Sequence, residues 1–84
     1  MDKKNLTTEE TFALAVQNHN KNNLQVAGNL YKEILKTNHN HVEAHNNLGL
    51  VFQAFGDYKK AISSYQKAIE IQPDYANAHN NLIS

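Results

Sequence analysis

The string Ala44-His45-Asn46-Asn47-Leu48 returns letter for letter as Ala78-His79-Asn80-Asn81-Leu82, 34 residues further on. A fixed offset of that size is the period of a helix–turn–helix unit, so the chain must fold as a stack of like hairpins. Between the two copies lie two amphipathic segments. Ala44, Leu48, Gly49 and Phe52 share one face of a helix expected from about His41 to Phe55, and Ala61, Tyr65, Ala68 and Ile69 form the stripe of a helix over Tyr58 to Ile71. Gly56 suits the left-handed end of the first, and Asp57 the N-cap of the second. Pro73 stops that second helix, and Asp74 is the expected cap of a fifth, Tyr75 to Ser84.

Sliding the chain along itself by the same offset extends the pattern toward the N-terminus. Leu14 lands on Leu48 and Leu82, Ala27 on Ala61, and Tyr31 on Tyr65. Asn22 lands on Gly56, the two residue types that best tolerate positive φ. Asn23 lands on Asp57 and Asn40 on Asp74, each pair expected as matched N-caps, with Glu43 completing the cap of Asn40. A first helix is therefore expected from a Thr7–Glu10 capping box to about Asn20, with Thr11, Leu14, Ala15 and Asn18 on its inner face. A second runs from Leu24 to Thr37 with Ala27, Tyr31, Ile34 and Leu35 as its stripe. Gly28 costs that helix roughly 1 kcal/mol relative to alanine. Gly49, mid-helix, is expected to let a neighbouring backbone come close. Met1 to Leu6 are polar and expected to fray.

The spacing Leu48-Gly49, Phe52, Gly56, Ala61, Tyr65, Ala68, Pro73 resembles the tetratricopeptide repeat, with His45 where that family often has tryptophan. On this resemblance residues 42–75 are one complete repeat and residues 8–41 a degenerate one, with Asn18 for the aromatic, Asn22 for glycine and His39 for proline. Residues 76–84 match the start of a third, or a capping helix. The fold class it implies is all-α, with about five helices paired into hairpins and stacked as an α-solenoid in a right-handed superhelix. The whole chain, 1–84, is then a single domain, and the first helix of each repeat lines a concave groove that takes a peptide.

The Ala-His-Asn-Asn-Leu string is also similar to repeats of O-linked N-acetylglucosamine transferases and related bacterial proteins, where a row of asparagines grips an extended peptide backbone. The matching positions here are Asn47 and Asn81, with Ala13 in the first repeat. A primary amide both donates and accepts, which suits a peptide group of any sequence. The groove residues the resemblance implies are Phe12, Val16, Glu43, Asn46, Asn47, Leu50, Gln53, Asn77, Asn80 and Asn81, together with Glu9 and His19. Phe12 is expected to point outward as a lone aromatic.

Composition narrows the alternatives. Eighty-four residues leave no room for a large buried active site. The 8 lysines balance 8 acids and there is no arginine, so no basic field points to nucleic acid. Cysteine is absent, which removes thiolate chemistry and suits a cytoplasmic setting. No run nears the roughly 20 apolar residues of a membrane span, and the start of the chain lacks the apolar stretch of a signal peptide. His41 and His45 have metal-ligand spacing, but no carboxylate pair or cysteine completes a site. Tyr31 and Tyr65 are read as core, and Lys59, Lys60 and Lys67 as a solvated outer face. No phosphate loop, activated nucleophile or carboxylate pair supports catalysis, so the chain is expected to be no enzyme and to hold no cofactor or metal. The expected function is a scaffold binding a peptide or partner protein in the groove. The alternatives are a self-assembling module that forms a homo-oligomer through its exposed terminal hairpin, or the substrate-recruiting segment of a larger enzyme such as a glycosyltransferase.

Overall fold

In a computed structural model that describes residues 6–83, the chain forms five helices in order: α1 (Thr8–Asn20), α2 (Leu24–Thr37), α3 (Val42–Ala54), α4 (Tyr58–Ile71) and α5 (Ala76–Ile83). No strand occurs among these residues. The frayed segment expected over residues 1–5, and Ser84, lie outside them. α1 pairs with α2 and α3 with α4, while α2 packs on α3 and α4 on α5. The result is an elongated stack with extents of 46 × 24 × 17 Å, an all-α solenoid.

Local chemistry sets the helix ends. The Thr7 hydroxyl accepts from the Glu10 N–H at 3.1 Å while the Glu10 carboxylate accepts from the Thr7 N–H at 2.9 Å, closing the capping box. Asn22 at φ 66° and Gly56 at φ 82° make the two left-handed turns inside the hairpins. Asp57 caps α4 through the Lys60 N–H. Three caps differ from the sequence expectation. Asn23 makes no side-chain cap on α2; its amide donates instead to Asn18 Oδ1 at 3.2 Å. α3 is capped by His41, whose Nδ1 accepts from the Ala44 N–H at 3.1 Å, and Asn40 sits in the turn before it. Asp74 likewise lies in a turn, with Tyr75 between it and the first residue of α5.

Two cores fill the stack. Ala15, Ala27, Tyr31, Ile34, Ala44, Leu48 and Val51 form the first, and Ala61, Tyr65, Ala68 and Ala78 the second. Phe52 packs against both and joins them. Gly49 is needed for the second, though not for a backbone approach as expected. A Cβ built on it would stand 2.5 Å from Tyr65 Cε1, so the Tyr65 ring occupies the space a side chain would take. Leu14 departs from the inner stripe. It is 38% exposed where its counterpart Leu48 is 7% exposed, because α2 packs over Leu48 and no helix among the described residues plays that part for α1.

Candidate peptide-binding layer

The residues proposed for a groove sit on α1, α3 and α5, and the structure sorts them into three environments. Some are absorbed by packing. Phe12 is half-buried rather than outward-facing: its ring lies 6.0 Å from that of Tyr31 and 5.0 Å from that of His41. Leu50 packs against the second core. Asn46 is only 3% exposed, which corrects the expectation of an open groove position. Its Nδ2 donates to Asn47 Oδ1 at 3.3 Å and its Oδ1 accepts from Asn81 Nδ2 at 3.0 Å. The amide of Asn46 is thus a strut between α3 and α5.

Others are half-buried and tied to tyrosine hydroxyls. Tyr65 donates to Gln53 Oε1 at 2.7 Å. At the equivalent place in the first repeat, His19 Nδ1 lies 3.0 Å from the Tyr31 hydroxyl, which also bonds the Asn47 side chain. Burial raises both tyrosine pKa values, and for Tyr31 the Asn47 bond pulls the other way. Burial also holds His19 below the usual imidazole range. The remainder are open: Glu9, Glu43 and Asn77 are exposed, and Val16 is half-buried beside Leu14 and Gln17 in a shallow hollow. Asn80 is exposed and makes a polar or ring interaction of its own.

The tetratricopeptide-repeat family model matches residues 42–75. Residues 42–75 are a tetratricopeptide repeat. Its fold is similar to the crystal structure of MamA, with a TM-score of 0.82 and 29% identity over 86% of this chain and 42% of that one. A second MamA crystal structure gives a TM-score of 0.81 at 29% identity, covering 86% of this chain and 39% of that chain. This chain therefore spans about two fifths of the MamA chains it resembles. A tetratricopeptide repeat domain protein from Salinibacter ruber gives a TM-score of 0.83 over 90% of this chain and 91% of that chain, at 22% identity that speaks for the fold alone. No curated protein matches the sequence.

Two features of this tetratricopeptide array were not singled out from sequence. The first is the pairing of Tyr31 with His19 and of Tyr65 with Gln53; the signal was there, since each pair is separated by 12 residues and the pairs by the repeat offset. The second is a clamp at each joint between repeats. His45 Nε2 donates to the His39 carbonyl at 2.7 Å, and His79 Nε2 to the Pro73 carbonyl at 2.6 Å. His45 is held below the usual imidazole range mainly by burial, with Lys67 and His41 adding to the shift and the carbonyl bond opposing it. With His39 Nδ1 on the Leu35 carbonyl and His41 serving as a cap, these imidazoles are engaged within the protein. Among the described residues no group of three His, Cys, Asp or Glu side chains is placed to hold a metal ion. None of the helices described is long and apolar enough to cross a membrane.

Proposed function

We propose that the chain is a protein-interaction scaffold that takes an extended peptide segment across α3 and α5. The observation that carries this reading is the linked row of primary amides, Asn47 to Asn46 to Asn81, bridging the two helices. Asn47 and Asn81 are half-buried and stand at the edges of that row, where a peptide group can exchange with the bonds they already make. Exchange of one hydrogen bond for another brings little net free energy, so affinities of roughly 10 μM to 1 mM are expected. Charge refines the class of segment. α1, α3 and α5 carry Glu9, Glu10 and Glu43 and no lysine, whereas Lys32, Lys36, Lys59, Lys60 and Lys67 are all on α2 and α4. A neutral or basic segment suits the first layer better than an acidic one.

The test is an amide-shift titration of the labelled protein with extended neutral, basic and acidic peptides. Shifts confined to α3 and α5, weakened at least several-fold in an Asn47→Ala, Asn81→Ala variant that keeps its helical spectrum, are expected. Absence of binding by every peptide, or binding unchanged in the variant, refutes the reading.

A further inference from the structure

Thr7, His41 and Tyr75 stand 34 residues apart, each just before the first helix of its repeat. Thr7 and His41 make the same bond with different chemistry. The Thr7 hydroxyl accepts from the N–H of Glu10, and His41 Nδ1 accepts from the N–H of Ala44, the counterpart of Glu10, each at 3.1 Å. A backbone N–H can only donate, so Nδ1 has to present a lone pair and the ring has to be neutral, with its proton on Nε2. On α1 the Glu10 carboxylate closes a box with Thr7. On α3 an alanine fills that place, so the imidazole is the whole side-chain cap.

The surroundings hold the ring in place whatever its charge. The Phe12 ring of α1 lies 5.0 Å away, tilted by 34°, and packs in turn on the first core. A cation over an aromatic face is attracted to it, so this contact does not resist a proton. α3 itself brings Glu43 and His45. Burial first, then Lys67 of α4 and His41 itself, keep His45 below the usual imidazole range, which sets His41 and His45 within electrostatic reach. His39, in the turn before, is engaged by the Leu35 carbonyl. α1 carries Glu9 one turn before Phe12, and Glu10 in its box. Across a hollow of about 410 Å³ stand Gln72 and Tyr75, with Glu43 the one carboxylate lining it. The N-terminal end of α3 itself disfavours a positive charge at its cap.

We propose that His41 is a proton-operated cap. On gaining a proton at Nδ1 the imidazole changes from acceptor to donor and releases the Ala44 N–H, while its ring stays on Phe12. Ala44 is fully buried, so water cannot take the place of the imidazole until the first turn of α3 opens. The caps of α1 and α4 do not follow, because the hydroxyl of Thr7 and the carboxylate of Asp57 keep acceptor oxygens. Mild acid therefore loosens the start of α3, at the joint between the first and second hairpins.

Nuclear magnetic resonance of the whole chain tests this from about pH 8 to about pH 5, the range over which imidazoles change charge. Imidazole nitrogen shifts report where the His41 proton sits, and Cα shifts of Val42, Glu43 and Ala44 report the helix population of the turn. Neutral His41 is expected to show a bare Nδ1. As it titrates, the open-to-closed ratio of the turn should rise about two- to thirty-fold, the usual worth of an N-cap. Thr8, Glu9 and Glu10 should hold their helical shifts. His41→Thr installs the α1 type of cap, and its first turn should stay formed across the range, with circular dichroism confirming the fold. A proton on Nδ1 of neutral His41 overturns the proposal, as does a turn that stays closed while His41 titrates. A turn that opens as far in His41→Thr does so too, and makes His45 the responsible group.

Discussion

Gly49→Ala puts a methyl carbon where a ring already stands. The new Cβ would lie 2.5, 2.8 and 3.0 Å from Cε1, Cδ1 and Cζ of Tyr65. That ring cannot swing aside without loss, being 1% exposed and anchored by its hydroxyl to Gln53. Overpacking of this kind costs about 1–3 kcal/mol, and loosening the Tyr65–Gln53 bond adds about 1 kcal/mol. Against this, alanine gains about 1 kcal/mol over glycine in a helix interior. The net expectation is a loss of about 1–3 kcal/mol. In urea unfolding followed by circular dichroism, a slope of about 1 kcal/mol per molar moves the midpoint down by about 1–3 M. Gly28→Ala is the internal control. Its nearest contact is one Val51 methyl at 3.3 Å, which can yield by a few tenths of an ångström. The helix-propensity gain then offsets the strain, and the midpoint should move by less than about 0.5 M. A double-mutant cycle isolates the cause. With Tyr65→Leu in place the clash is gone, and Gly49→Ala should become stabilising by up to about 1 kcal/mol. A Gly49→Ala protein as stable as the parent, or one equally destabilised in the Tyr65→Leu background, would refute the reasoning.

At the first hairpin turn Asn22 holds φ 66°. Asn22→Ala is expected to lose about 1 kcal/mol and Asn22→Gly to stay within about 0.5 kcal/mol of the parent, by the same urea midpoints. Stability should also fall on mild acidification. His19 and His45 both sit below the ordinary value of 6.5 in the folded chain, chiefly through burial. The unfolded chain therefore takes up protons first: their contribution is fully present above pH 6.5 and is lost as pH falls below it toward the folded values. Urea midpoints at about pH 7.5 and about pH 5.5 should differ in that direction, with a smaller difference in a His19→Gln, His45→Gln variant; equal midpoints in the parent would contradict it.

The helices were legible in the sequence because two independent signals coincide. α2 and α4 begin and end where the apolar stripe and the turn residues both place them, and Gly56 and Asn22 turn as their types allow. The caps were less legible. Asn23 and Asp57 share a repeat position, but a carboxylate has no donor and turns to the helix N–H, whereas the Asn23 amide finds the Asn18 oxygen first. His41 was overlooked as a cap because imidazole serves only when Nδ1 is left unprotonated. For the candidate site the limit is rotational. Asn46 and Asn47 are adjacent, a helix turns 100° between them, and the same amide is a ligand contact or an internal strut depending on which neighbour it meets. That neighbour, Asn81, is 35 residues away. Leu14 was misplaced for the same reason: periodicity finds an apolar face, but only a second helix buries it.

The side-chain bonds on the α1–α3–α5 layer form one thread. It passes from His19 to the Tyr31 hydroxyl, on to Asn47 and Asn46, and ends at Asn81 on α5. Asn46 and Asn47 are neighbours on one helix, so their contact of 3.3 Å bears no load when helices part. The thread crosses from α2 to α3 at Tyr31–Asn47 and from α3 to α5 at Asn46–Asn81, where lifting α5 away has to break the amide hydrogen bond of 3.0 Å.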